Sequence, residues 1–309
     1  MNPDELELIT GTAYRLFEQG DSYALVDELV GAGLEKELHS DDELTGALMT
    51  LQGRVGATST LLSLIVSGSA FDPSWTAVLP LLGTHAAPGQ RQGDLVVDGL
   101  AINPHTAGPY LVYTPEGAVL VPSDGVITTP ANGLDPDLGL HTVIGTVALG
   151  SCTPVDGLRW DDAEVRALRA VAYELIGLAE RALTRAVEHV TERKQFGKAI
   201  GTFQVVQHRL VDANTALAAA KAVLESTPGS DDLLAALAAK AWAGRAAREA
   251  VDAAQQFCGA MGFTWEFGLH ELVRRITVVE ALFGDSDRLI EEIGDILVGR
   301  SDAPRLAAL

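Results

Sequence analysis

Residues 192–207, Glu-Arg-Lys-Gln-Phe-Gly-Lys-Ala-Ile-Gly-Thr-Phe-Gln-Val-Val-Gln, bring together residue types that can hold a ligand. Arg193 carries a planar guanidinium, a permanently charged fork that pairs with phosphate or carboxylate oxygens. Phe196 and Ile200 add apolar surface, Gln195 and Gln204 add amides, and Gly197 suits the left-handed residue just past a helix end. A second cluster, Gln256 with Gly259 and Ala260, lies in Gln256-Phe-Cys-Gly-Ala-Met-Gly-Phe-Thr-Trp-Glu-Phe267. Taken alone, the first stretch suits a helical hairpin with a solvated arginine equally well.

Other chemistries find little support. The histidines (His39, His85, His105, His141, His189, His208, His270) show no metal spacing, and no phosphate loop or nucleophile elbow occurs. Cys152 and Cys258 are too few to staple the chain and are expected to be structural. Forty-two acidic residues against 22 basic ones give a formal charge of −20, which repels nucleic acid and anionic lipid. The first residues lack a basic segment followed by an apolar one, and no apolar run approaches the ~20 residues that cross a bilayer. The expectation is a cytoplasmic protein with no metal, no nucleic acid and no membrane.

The elements that must position these residues follow from periodicity. Residues 1–72 read as an N-terminal helical domain, with Leu6, Leu8, Ile9, Ala13, Leu16 and Phe17 on one stripe and Tyr23, Val26, Leu29 and Val30 on another. Ser40-Asp-Asp-Glu43 starts a helix through Leu44, Leu48, Leu51 and Val55 that continues through small residues to Ser69, whose Gly and Ser content allows close helix contact. Residues 73–157 hold most of the prolines and short β-rich runs: 95–97, 111–114 joined to 118–121 by Pro115-Glu-Gly117, and 143–149. They predict a small antiparallel middle domain. Residues 158–309 read as a helical bundle with helices over 161–194, 202–226, 230–258 and 268–299, the last broken at Gly284. Asp161 with Glu164 resembles a capping box, Ser230-Asp-Asp232 caps the third helix, and alanine dominates that helix. With 47% hydrophobic residues in 309, the chain can bury a sizeable core.

The two motifs, in register inside a helical half of suitable length, resemble the acyl-CoA dehydrogenase family, which carries Arg-x-x-Phe-Gly…Gln and Gln-x-x-Gly-Gly-x-Gly at these places. The resemblance covers about residues 158–299. It implies a mainly α fold with N-terminal helices, a small middle β domain and a C-terminal four-helix bundle. It also implies FAD and α,β-dehydrogenation of an acyl-CoA thioester. In the family these motifs reach across a subunit interface to the partner's FAD, which assigns Arg193, Gln195, Phe196, Ile200, Gln204, Gln256, Gly259 and Ala260 to the adenosine and pyrophosphate. Ala260 stands where a second Gly is usual.

The departures concern this chain's own site. Aligning Glu266 and Arg274 puts Phe283 where the family places its proton-abstracting Glu, and the alternative position on the first bundle helix holds Ala167. Neither Glu164 nor Glu174 is recommended by spacing. The middle region lacks the family's flavin-holding segments, the N-terminal half is short, and Asp285 and Asp287 replace groups that would donate to a pyrophosphate. The presence of these aspartates is read first as the cap of the final helix. The resemblance therefore implies a non-catalytic subunit of a heterotetrameric acyl-CoA dehydrogenase, of the kind used for steroid side-chain thioesters, with a catalytic partner subunit. The rivals are a self-sufficient dehydrogenase with Glu280 as relocated base, and a cofactor-free scaffold.

Overall fold

A computed structural model describes residues 2–20, 24–35, 37–105, 107–226 and 232–299. Five helices come first: α1 (Pro3–Gln19), α2 (Ala24–Gly31), α3 (Glu37–Ser40), α4 (Asp42–Val55) and α5 (Leu61–Ser67). Eight strands follow: β1 (Thr76–Ala77), β2 (Gly89–Gln92), β3 (Asp94–Ile102), β4 (Tyr110–Thr114), β5 (Gly117–Val121), β6 (Ile127–Pro130), β7 (Leu140–Val147) and β8 (Thr153–Val155). The last part comprises α6 (Trp160–Glu192), β9 (Lys194–Gln195), β10 (Lys198–Ala199), α7 (Gln204–Glu225), α8 (Leu233–Cys258), α9 (Leu269–Ala281) and α10 (Ser286–Gly299). The fold is mainly α, with a small β region and a C-terminal helix bundle, as the sequence implies.

Local signals account for most helix ends. Asn2 and Glu5 close a capping box on α1, Asp41 accepts from the amides of Glu43 and Leu44 at the start of α4, and Asp232 accepts from Leu234 N at the start of α8. Ser230 and Tyr23 lie outside the described residues. Four sequence expectations need correction. The helix expected from Ser40 to Ser69 is two, because Gly56 takes the left-handed cap (φ +76) and ends α4. Leu8, assigned to the buried stripe, is 71% exposed. Asp161 is no cap, since α6 begins one residue earlier behind Arg159 with no side-chain cap bond. Glu164 faces a cleft instead of closing a box.

The strands form two four-stranded sheets, β1-β4-β5-β8 and β2-β3-β7-β6. The expected hairpin is present, with Thr114 opposite Gly117. All pairings are antiparallel except β1 with β4, which is parallel. Between the sheets Val78, Leu95, Val97, Val112, Val119 and Val143 form a separate small core.

The main core lies along α6, which is buried on nearly every side by α4, α5, α7, α8 and α9. The α4–α6 crossing is close because it is made on glycines: a Cβ on Gly53 would sit 2.2 Å from Glu174 O, and one on Gly177 would sit 2.0 Å from Thr50 O. Alanines do the same for α8, where Ala236, Ala239, Ala243, Ala246, Ala247 and Ala250 are buried. Arg275 fastens the bundle to the preceding segments through Asp135, Ala57 O (2.9 Å) and Thr58 Oγ1 (2.9 Å). Among the described residues no helix is long and apolar enough to cross a membrane.

Candidate functional site

At the end of α6 the chain folds back as a two-stranded hairpin, with Gln195 opposite Lys198 and Lys194 opposite Ala199. Phe196 (φ +51) and Gly197 (φ +81) form its turn, both left-handed, as a two-residue hairpin loop requires. Gly197 is thus left-handed as expected, but as a hairpin residue; the helix cap is Arg193, in extended conformation. A non-glycine residue at positive φ carries strain of ~1–3 kcal/mol, and here it holds a phenyl ring that is 92% exposed. Ile200 N donates to Arg193 O at 2.8 Å and closes the hairpin. The Phe203 ring meets Phe196 edge-on at 6.3 Å. Arg193, Gln195 and Gln204 are exposed, and Ile200 is half-buried.

The second motif lies at the end of α8. Gln256, Gly259 and Ala260, with Arg209, Asp252 and Gln255, line an open groove of about 740 Å³. Gly259 caps α8 at φ +54, ψ −137, a region essentially restricted to glycine. Nothing lies within 4 Å of where its Cβ would be, so the backbone is free to meet a group from outside the chain. Arg209, which sequence reasoning missed, is an exposed residue on α7 that presents a second guanidinium to this groove. The residues named for FAD are therefore exposed or half-buried, at a hairpin that leads into α7 and at a groove that α7 also lines.

The inner site is built differently. Residues 282–285 form an elbow between α9 and α10, with Phe283 (φ +56) and Gly284 (φ +89) both left-handed. Phe283 is fully buried. Its ring lies nearly parallel to Trp160 at 6.2 Å, and Trp160 meets Tyr113 at 5.6 Å. The stack spans β4, α6 and the elbow, so Phe283 is held at the end of a row of three aromatic rings. The Tyr113 hydroxyl donates to Val66 O at 2.7 Å, and burial raises its pKa beyond the ordinary tyrosine range.

Lys240 holds the elbow from α8. Its side chain is fully buried and its ammonium donates to Glu280 O and Gly284 O; burial lowers its pKa to about 8 against the opposing pull of Glu280 and Asp285. Glu280 is occupied too: its Oε1 accepts from Ser286 N at 2.8 Å and lies 3.8 Å from Arg248. That makes it a cap for α10 and not a free base. Asp285 caps the same helix by accepting from Arg288 N at 3.0 Å. Asp287 pairs with Arg248 at 3.3 Å, which lowers its pKa and offsets the repulsion expected from its charge. Ala167 is buried in the core, and Glu174 is buried between α4 and α6 with its pKa raised by desolvation.

A cleft of about 710 Å³ separates the β2–β3 face from the bundle, lined in part by Trp160, Glu164, Arg288 and Glu292. His85 lies in it between Glu164 and Glu292. Its partners stand 79 and 207 positions away, so no sequence pattern announces it. Lys240 did leave a signal: it is the one lysine on an otherwise apolar helix face of alanines. Both cysteines are free, and burial raises both thiols, as suits structural roles.

Comparison with known proteins completes the picture. The acyl-CoA dehydrogenase C-terminal domain matches residues 158–298. Acyl-CoA dehydrogenase FadE34 of Mycobacterium tuberculosis is 31% identical over 298 residues, covering 87% of this chain; the chain spans only 39% of that relative's length. Acyl-CoA dehydrogenase IpdE2 of the same organism is 30% identical over 265 residues, covering 84% of this chain and 78% of its own. A chain of the ChsE4-ChsE5 complex from Mycobacterium tuberculosis superposes with a TM-score of 0.74 at 17% identity, over 98% of this chain and 99% of that one, which shows a shared fold. By its two motifs, its helical bundle and these relatives, the chain belongs to the acyl-CoA dehydrogenase family.

Proposed function

We propose that this chain is the non-catalytic subunit of a heteromeric, FAD-dependent acyl-CoA dehydrogenase, an oxidoreductase acting on the CH–CH bond next to an acyl-CoA thioester. The observation that carries the reading is a contrast between two sites. The base position is closed by the Tyr113–Trp160–Phe283 stack, whereas the hairpin and groove stand open. A phenyl ring accepts no proton, so abstraction of the α-proton falls to a carboxylate of the partner subunit. Bound FAD supplies the hydride acceptor.

This chain's part is positioning. Arg193 offers its fork to the pyrophosphate oxygens, and Gln195, Gln204 and Gln256 offer amides. Phe196 and Ile200 present apolar surface to the adenosine, while Gly259 and Ala260 leave room for close approach. Phe196, Val205 and Val211 are 92%, 75% and 60% exposed along the hairpin and α7, an apolar surface suited to burial by a partner. The proposed assembly is a cytoplasmic heterotetramer with two copies of each chain, and the proposed domains of this chain are 1–72, 73–157 and 158–309. CoA thioesters of steroid side chains are the proposed substrate, a reading supported by a solved neighbour described as the Tcur3481-Tcur3483 steroid ACAD, which superposes with a TM-score of 0.73 at 19% identity; the pairing with a second unit is supported by the FadE34 match, which leaves most of that longer chain unmatched, and by the superposed chain of the ChsE4-ChsE5 complex.

Arg193→Ala tests the reading. In the assembly co-expressed with its partner, FAD affinity should fall roughly tenfold to over a hundredfold, the loss of a charge-assisted contact of about 1.5–3 kcal/mol. Arg193→Lys should recover only part, because an ammonium does not reproduce the fork. FAD per assembly after gel filtration measures this, with circular dichroism checking the bundle; full flavin retention in Arg193→Ala would make the turn merely structural.

A further inference from the structure

The segment between Leu79, paired with Leu100, and Pro88, whose carbonyl accepts from Asp98 N at 3.0 Å, runs as a strap along the cleft between the sheets and the bundle. Few apolar contacts hold it: Leu81 and Leu82 are 37% and 43% exposed. One main-chain bond, Gly83 N to Ala281 O at 2.8 Å, ties it to the end of α9. The other tie is His85, whose Nδ1 meets Glu164 on α6 and whose Nε2 meets Glu292 on α10 at 2.5 Å. Its ring also covers the elbow, since a Cβ on Gly284 would lie 3.6 Å from His85 Cδ2.

Both ring nitrogens face carboxylates, and that decides the proton count. A neutral imidazole donates from one nitrogen only, which would leave the other lone pair pointing at a carboxylate oxygen. Both bonds therefore need one further proton in the triad, whichever atom carries it. The proton is held by the two glutamates themselves; the further charged groups around the cleft and strap are Asp98 on β3, Asp161 on α6 and Asp285 near Gly83, with Arg288 on α10 and the Lys240 ammonium on Gly284 O as the cations. We infer that His85, Glu164 and Glu292 form a proton-binding clasp that holds the strap against α6, α10 and the Phe283 elbow, and that loss of this proton frees the strap and opens the cleft.

The sign of the linkage follows. The pKa of His85 is raised, first by its hydrogen bond to Glu164, with burial opposing. A raised folded-state value means that the clasp contributes fully below the ordinary histidine value of about 6.5 and fades as pH climbs through the raised value. The clasp is built wholly from residues of this chain.

Hydrogen exchange on the full chain tests it. After correction for intrinsic exchange rates, protection of a peptide spanning 81–88 should drop about tenfold or more between about pH 6 and pH 9. His85→Leu, which fills similar space without donors, should leave the peptide poorly protected and flat across this range. Glu292→Gln should move the wild-type transition to lower pH by removing one of the two carboxylates. Peptides from α6 serve as the folding control. Unchanged wild-type protection between the two pH values, or His85→Leu protection equal to wild type, would overturn the clasp.

Discussion

Phe283→Glu, which puts a carboxyl group where the resemblance places the family's base, should yield no acyl-CoA turnover in the isolated chain and a much less stable fold. The ring is fully buried and stacked on Trp160, and emptying such a site typically costs about 3–5 kcal/mol. A carboxyl group in its place enters an apolar environment and adds a desolvation penalty unless it stays protonated. A base also gains nothing without a positioned flavin and acyl chain. Chemical denaturation measures the stability loss, and an assay with acyl-CoA measures turnover. Turnover after this single change would mean that the inner site is an open one.

Lys240→Met should destabilise the chain by about 2–5 kcal/mol, nearly as much, although it removes a charge from the core. Methionine matches the length of the stem, but Glu280 O and Gly284 O lose their donor, and an unsatisfied buried acceptor costs about 1–3 kcal/mol. The loss should be local in origin, loosening the elbow that sets Phe283. A midpoint in urea unchanged from wild type would show that those carbonyls have other donors.

The contrast between the two sites was only half legible in the sequence. The hairpin is one contiguous stretch and most of the groove another, so Arg193, Phe196, Gln256 and Gly259 could be named from two motifs that resemble the family's, whereas Arg209 reaches the groove from α7. Gly284 marked the break between α9 and α10, and the resemblance put Phe283 where the family's carboxylate is expected. Sequence could not show that Phe283 is stacked, because Trp160 and Tyr113 come from other elements. His85 was invisible for the same reason. Some local signals misled: Gly56 sits in a run of small residues that reads as continuous helix, yet its left-handed backbone ends α4. Six strands escaped notice: β1, β9 and β10 are two residues each, β2 is Gly-Gln-Arg-Gln, β6 is mostly exposed, and β8 carries an edge proline. Lys240 was legible in principle, since a lone cation on an apolar stripe must find acceptors inside.

The central claim is that this chain lends contacts to a flavin it does not hold by itself. Its most direct test is flavin absorbance of the chain purified alone and after co-expression with its catalytic partner. The account predicts a colourless isolated chain and, in the assembly, one FAD for each pair of unlike chains. An isolated chain that carries stoichiometric FAD and oxidises an acyl-CoA would contradict it.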